Sequence, residues 1–209
     1  MISDKLLYFI TDSNSLCEDE FLNKIESACI GGADIIQLRE KNKSTKDYIV
    51  LAQKVKNITD RYSVPLIIDD RVDVCLATDA SGVHLGLDDM DIKTAREILG
   101  PDKIIGSTAK NVKRALESLN SGADYLGVGA IFPTTTKVKT VITEISTLKD
   151  IVKSVNIPVF AIGGLNIDNI DILKNTGITG ICAVSAIMKS DDTEKYVKIF
   201  RNKVMKIKK

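Results

Sequence analysis

The stretch "SGADYLGVGAIFPTTTK" (Ser121–Lys137) decides how the chain is read. A helix-like segment, "NVKRALESLN", runs into it, and Ser121-Gly122 ends that helix, because glycine readily takes the conformations that close a helix C-terminus. The chain then turns at once into "YLGVG" (125–129), a short apolar run of the kind found in strands buried on both faces. The run breaks at Phe132-Pro133, and Thr134, Thr135, Thr136 and Lys137 follow. Three successive hydroxyls suit neither a helix nor a core, so they read as a polar loop at the end of a strand, where something with acceptor or anionic character would be held.

The same phrase, a helix closed by glycine and a return into the sheet, recurs in "GGADIIQL" (31–38) and "TGITGICAV" (176–184). The remaining apolar runs are "LLYFIT" (6–11), "PLIID" (65–69), "GVHLG" (82–86), "KIIGS" (103–107) and "PVFAIG" (158–163), with the last run reaching Ser185. Helical patterns lie between them. "DEFLNKIESACIGGA" carries Phe21, Leu22, Ile25 and Cys29 on one stripe, and "STKDYIVLAQKVKNITDRYS" opens on Ser44 as an N-cap. "RVDVCLATDA", "MDIKTAREILG", "STLKDIVKSVN", "IDNIDILKNTGI" and "DDTEKYVKIF" complete the set. Eight strand–helix units, each about 20–30 residues long, predict an α/β chain folded as one (β/α)8 TIM barrel over residues 1–209. An open doubly wound sheet is the competing arrangement, and the first run lacks the G-x-G-x-x-G that would favour it. No linker or second-domain boundary interrupts the pattern.

Composition excludes several classes. The formal net charge is +1, with hydrophobic residues at 44% and charged residues at 27%, so there is no global attraction to nucleic acid or membrane. The basic tail "KVMKIKK" reads as the solvated end of the last helix. The four cysteines show no C-x-x-C spacing, and three of them sit in apolar segments, which predicts reduced thiols and a cytoplasmic protein. The N-terminus lacks a secretory signal pattern, and no run approaches a membrane span. Oligomeric state is open, and a homo-oligomer is compatible with the sequence.

Barrel sites form at the C-terminal ends of the strands. There the sequence places Gln37, Arg39 and Lys41 after the second run, Asp69 and Asp70 after the third, and His84 and Asp89 at the fourth. Ser107 and Thr108 follow the fifth, the threonines and Lys137 the sixth, Gly163-Gly164 the seventh, and Val184-Ser185 the eighth. Gln37 and Arg39 share one side of a strand. An arginine at a barrel mouth needs an anion, although pairing of Arg39 or Lys41 with Glu40 at the surface is the plainer alternative. Asp70 and Asp89 on neighbouring strands could hold Mg²⁺ together with phosphate oxygens, or could simply cap the helices that follow. The two readings stand level. The glycine and serine turns of the last two runs suit a phosphate held by backbone N–H groups. Two anion sites result, one with a metal-assisted di- or polyphosphate and one with a monophosphate, which suggests a transfer with diphosphate as leaving group.

"QLREK", "DDRVDV", "GVHLG", "DYLGVGAIFPTTTK", "AIGGL" and "AVSAIM", in this order and across nearly the whole chain, resemble the thiamine phosphate synthase family. The resemblance implies a Mg²⁺-dependent transferase that joins hydroxymethylpyrimidine diphosphate to hydroxyethylthiazole phosphate, giving thiamine phosphate and diphosphate. It implies that Gln37, Arg39, Lys41, Asp69 and Thr108 bind the pyrimidine diphosphate and that Asp70 and Asp89 ligate Mg²⁺. It further implies that Thr134, Thr135, Thr136, Gly164, Val184 and Ser185 bind the thiazole phosphate, with Lys137 on the diphosphate. Arg39, Lys41 and Lys137 would stabilise the departing diphosphate. The family usually has Asn where Asp69 stands, Gln where Leu87 stands and Ser where Thr108 stands. A thiazole tautomerase-like isomerase and a non-catalytic phosphate-ligand-binding barrel are the alternatives. His84 has two readings, packing at a strand end and direct substrate contact. The segment "VKTVITEIS" after Lys137 reads either as a flap or as a plain connection.

Overall fold

The computed structural model describes residues 2–14, 16–134 and 141–208. Eight parallel strands close into a barrel in sequence order: β1 Leu7–Ile10, β2 Ile35–Leu38, β3 Leu66–Asp69, β4 Gly82–Leu85, β5 Ile104–Ala109, β6 Tyr125–Gly129, β7 Val159–Ile162 and β8 Gly180–Ala183. Closure runs through β1 and β8, where Leu7, Tyr8 and Phe9 pair with Ile181, Cys182 and Ala183. The helices between are α1 Glu18–Ile30, α2 Thr45–Arg61, α3 Val72–Thr78, α4 Ile92–Leu99, α5 Val112–Asn120 and α6 Ile145–Ser154, followed after β8 by α7 Ser185–Met188 and α8 Thr193–Lys208.

The strands are apolar throughout because both faces are covered. Leu7, Phe9, Ile36, Leu38, Leu66 and Ile68 pack outward under the helices. Their neighbours Tyr8, Ile10, Ile35 and Ile67 join Tyr125, Phe160 and Cys182 in a separate cluster inside the barrel. Each large side chain so buried is worth about 1.5–3 kcal/mol. The expected stripe of α1 holds at Phe21, Ile25 and Cys29, with Ala28 completing it and Leu22 only half-buried. Ser44 caps α2, accepting the Asp47 N–H at 3.1 Å.

Two expectations change. The segment after β7 forms a short 3-10 helix, Ile170–Leu173, in place of an α-helix. The fifth strand runs on to Ala109, so Ser107 and Thr108 are strand residues and the loop begins at Lys110. The barrel's N-terminal end is tied by polar staples. Asp34 accepts the Leu6 and Leu7 N–H groups and pairs with Arg201 of α8 at 3.1 Å. Arg96 of α4 donates to the carbonyls of Gly100, Lys103 and Gly122 and pairs with Asp124 at 2.6 Å. Among the described residues no helix is long and apolar enough to cross a membrane. All four cysteines are free, with Cys17 exposed and the other three buried. The basic tail is the end of α8, where Lys208 donates to the Thr179 carbonyl at 2.5 Å.

Candidate active site

The C-terminal ends of the strands surround one cavity of about 390 Å³. Its wall brings together Gln37, Arg39 and Lys41, Asp69 and Asp70, Asp89, Thr108, Thr134, Gly164, Val184 and Ser185, residues far apart in sequence. Thr135, Thr136 and Lys137 lie outside the described residues, as do residues 138–140 of the segment read as flap or connection. The later part of that segment is tied to the barrel. The Thr143 N–H donates to the Ala130 carbonyl at 2.8 Å, Thr143 is buried, and α6 begins two residues on.

The cations are placed by the strand ends around them. Thr11, fully buried after β1, donates its N–H to the Gln37 carbonyl at 2.9 Å, and its hydroxyl accepts the Arg39 N–H at 3.2 Å. Tyr48 of α2 donates its hydroxyl to the Leu38 carbonyl at 2.6 Å. With its backbone pinned, Arg39 turns its guanidinium toward Asp69, Nε to Oδ2 at 3.7 Å. Lys41 Nζ stands 2.8 Å from Asp69 Oδ2 and also meets the Asp70 carboxylate. Surface pairing with Glu40 is therefore not what engages these cations. Glu40 turns away, accepts the Ser13 hydroxyl at 2.8 Å and faces Lys43. Burial pulls the Lys41 ammonium down, and Asp69 and Asp70 together more than offset it, leaving it raised. Burial first, then the neighbouring Asp70, lift the Asp69 carboxyl to about 6 against the opposing pull of Lys41 and Arg39.

Asp70 and Asp89 are not helix caps. The residue at the head of α3 is Arg71, and the cap of α4 is Asp91, which accepts the Thr94 N–H at 2.9 Å. Asp70 holds a left-handed backbone with φ 62°. Asp89 Oδ2 accepts the Gly86 N–H at 2.6 Å, which folds the β4 loop back on itself. Burial raises the Asp89 carboxyl, the Gly86 N–H works against the rise, and contact with Asp70 adds to it. Two hard carboxylates that repel one another beside a cavity suit Mg²⁺, which takes one or two carboxylates and fills its sphere with water and phosphate oxygens. Among the described residues no group of three or more His, Cys, Asp or Glu could hold a metal. That leaves a site of the open, substrate-completed kind.

At the opposite side of the cavity the β7 and β8 loops meet the β6 loop. Gly164 has φ 63°, and a Cβ there would come within 2.6 Å of the Pro133 carbonyl oxygen. Its bareness lets two loops touch, and this contact sets Thr134 beside the turn. Ser185 opens α7 next to it.

Three features were not read from the sequence. Lys110 lines the cavity just past β5, with no ion pair to another described residue. It was missed because the fifth strand was ended too early. Tyr8 and Tyr125 fill the barrel floor, hydroxyl to hydroxyl at 2.8 Å. Gln37 Nε2 donates to Tyr8 at 2.8 Å, while His84 bridges Tyr125 and Thr108 with both ring nitrogens at 3.1 Å. His84 is thus a bridging group, and burial pushes its pKa down to about 4. Bare Gly106 and Gly127 make room for the Tyr125 and His84 rings.

A parallel barrel with cations, paired carboxylates and glycine turns at its C-terminal mouth defines a phosphate-handling (β/α)8 protein. Residues 7–187 match the family model described as thiamine monophosphate synthase, and the chain belongs to that family. It is 55% identical over 201 residues, 96% of either chain, to a protein of Streptococcus pneumoniae serotype 4 named thiamine-phosphate synthase 2. It is 49% identical over 202 residues, 97% of this chain and 95% of the other, to a thiamine-phosphate synthase of Lacticaseibacillus paracasei. The solved thiamine phosphate pyrophosphorylase from Pyrococcus furiosus superposes with a TM-score of 0.90 at 39% identity, covering 100% of this chain and 99% of that one.

Proposed function

We propose that this chain is a transferase that joins hydroxymethylpyrimidine diphosphate to hydroxyethylthiazole phosphate, forming thiamine phosphate and releasing diphosphate. The observation that carries the reading is one cavity with two unlike ends. Arg39, Lys41, Asp70 and Asp89 stand at one end, and Thr134, Gly164 and Ser185 at the other. A thiazole tautomerase-like isomerase needs only the second end, and a phosphate-binding barrel without chemistry has no use for a carboxylate pair.

The chemistry asks for positioning and charge. The bond from the pyrimidine methylene carbon to the diphosphate oxygen breaks, and the oxygen leaves with the electron pair. The thiazole nitrogen lone pair forms the new C–N bond, and no net proton moves. The chain accordingly offers no strong general base; His84 is engaged on both nitrogens and held neutral. Arg39 forks onto phosphate oxygens, and Lys41 adds a point charge once an anion draws it from the aspartates. Lys110 faces the same space, and Lys137 completes the set. Asp70 and Asp89 are the residues to hold Mg²⁺, which when bound would neutralise charge building on the departing diphosphate. Gly164, Val184, Ser185 and the threonines from Thr134 to Thr136 orient the thiazole phosphate, bringing the nitrogen to bear on the methylene carbon. Gln37 and Thr108 orient the pyrimidine.

The test is to mix the two phosphorylated substrates with Mg²⁺ and follow diphosphate. Release that requires both substrates supports the reading. Its absence from folded protein that binds both ligands defeats it.

A further inference from the structure

The hydrogen bonds under the cavity form an unbranched chain across the barrel interior: Gln37 of β2, Tyr8 of β1, Tyr125 of β6, His84 of β4 and Thr108 of β5. Gln37, Tyr8 and Tyr125 are buried. Neither tyrosine hydroxyl has another hydrogen-bond partner among the described residues, so each has one proton to place and one neighbour on either side.

Such a chain has only two coherent directions. A hydroxyl that accepts from one neighbour must donate to the other, and a neutral imidazole must donate from one nitrogen and accept at the other. The Gln37 amide nitrogen donates to Tyr8, which selects the direction. Tyr8 then donates to Tyr125, Tyr125 to His84 Nδ1, and His84 Nε2–H to Thr108 Oγ1. At one end the Gln37 carbonyl oxygen is left as an acceptor. At the other the Thr108 hydroxyl keeps its proton to give. Both residues line the cavity, and neither atom has a further described partner.

We propose that Tyr8, Tyr125 and His84 are a polarised relay that makes Gln37 an acceptor and Thr108 a donor, so that the site selects an aminopyrimidine and rejects its oxo counterpart. An amino group donates to Gln37, and a ring nitrogen accepts from Thr108. The oxo ring offers a carbonyl and a ring N–H at the same edge, which meet like against like and leave buried groups unpaired. With the opposite direction Gln37 would donate and Thr108 would accept, and the preference would invert. Tyr8, Tyr125 and His84 are positioning residues here. The glycines fit this role: a Cβ at Gly106 would fall 2.0 Å from the Tyr125 ring, and one at Gly127 would lie 3.2 Å from His84 Cε1.

The inference rests on the proposed substrates, but the relay can be tested apart from them. The chain has a single histidine, so long-range ¹H–¹⁵N spectra of the whole protein report His84 alone. The relay requires the neutral Nε2–H tautomer at neutral pH. An Nδ1–H tautomer or an imidazolium overturns it, whether or not the protein releases diphosphate. In steady-state assays Tyr125→Phe, which removes one oxygen, should raise KM for the aminopyrimidine diphosphate about tenfold. It should cut the preference over the oxo analogue, read as the ratio of inhibition constants, by a similar factor, and leave KM for the thiazole phosphate unchanged. A folded Tyr125→Phe enzyme that keeps its preference overturns the relay, as does one that loses both substrates equally. Tyr8→Phe tests the same link from its other side if the first variant does not fold. Absence of diphosphate release by the parent protein strikes the proposed reaction, and the tautomer then still decides the relay.

Discussion

Lys41 Nζ lies 2.8 Å from Asp69 Oδ2, and the same ammonium meets the Asp70 carboxylate. The family usually has an amide where Asp69 stands. Its carboxylate occupies the two cations best placed for a diphosphate, Lys41 and Arg39, and an incoming anion must displace it. Asp69→Asn should therefore lower KM for the pyrimidine diphosphate by about threefold to tenfold, with kcat nearly unchanged. Steady-state titration at fixed thiazole phosphate measures it, and an unchanged KM would show that Asp69 does not compete.

Asp69 and His84 give the metal-free protein opposing pH responses. The Asp69 carboxyl, lifted to about 6 from 3.8, holds its proton more tightly folded than unfolded. Its contribution to stability is full at low pH and is lost as pH rises through about 6. His84, held at about 4 against 6.5, contributes stability above pH 6.5 that is lost as pH falls through about 4. In chelator, the Tm of Asp69→Asn should gain on the parent as pH is raised from about 4 to about 6. The Tm of His84→Gln should gain as pH is lowered through the same range. Parallel curves would contradict both assignments.

Asp70 and Asp89 meet at the cavity and cap no helix. Asp70→Ala should abolish Mg²⁺-dependent turnover, a loss of about a hundredfold or more, while thiazole phosphate still binds at the other end of the cavity. Calorimetric binding of the thiazole phosphate is the check. Loss of both would mean that the two ends of the cavity are not separate sites.

Lys110 faces the cavity without a described carboxylate partner. Its removal leaves no buried charge behind. Lys110→Ala should raise KM for the pyrimidine diphosphate about tenfold at low ionic strength, and less in high salt as the charge is screened. A salt-independent change would indicate a packing effect.

Gly106 sits where a Cβ would come 2.0 Å from Tyr125 Cζ, and Tyr125 is fully buried among Tyr8, His84 and Phe160. Gly106→Ala should cost about 1–3 kcal/mol of stability by overpacking. Urea unfolding measures it, and a neutral result would mean that the ring can move.

Much of the barrel was legible because its pattern is local. The glycine that closes α1 or α5 and the Ile- and Val-rich run that follows are set by neighbours in sequence, since a strand buried on both faces must be apolar at every position. The segment after β7 was less legible, because Ile170 and Leu173 satisfy a helical pattern whether they make a full helix or a single 3-10 turn.

The sequence by itself determined the order of strands, the loops that carry polar groups and the residue types at each strand end. Those depend on backbone preference and on which side chains tolerate burial. Only the tertiary structure decided what those groups do to one another. It set Lys41 on Asp69 and Asp70 and assigned the α4 cap to Asp91, freeing Asp89. It also joined Gln37 to Thr108 through two tyrosines and a histidine. The physical reason is that hydrogen bonds and ion pairs are formed across the closed barrel between side chains up to 117 positions apart, where closure alone sets distance and burial.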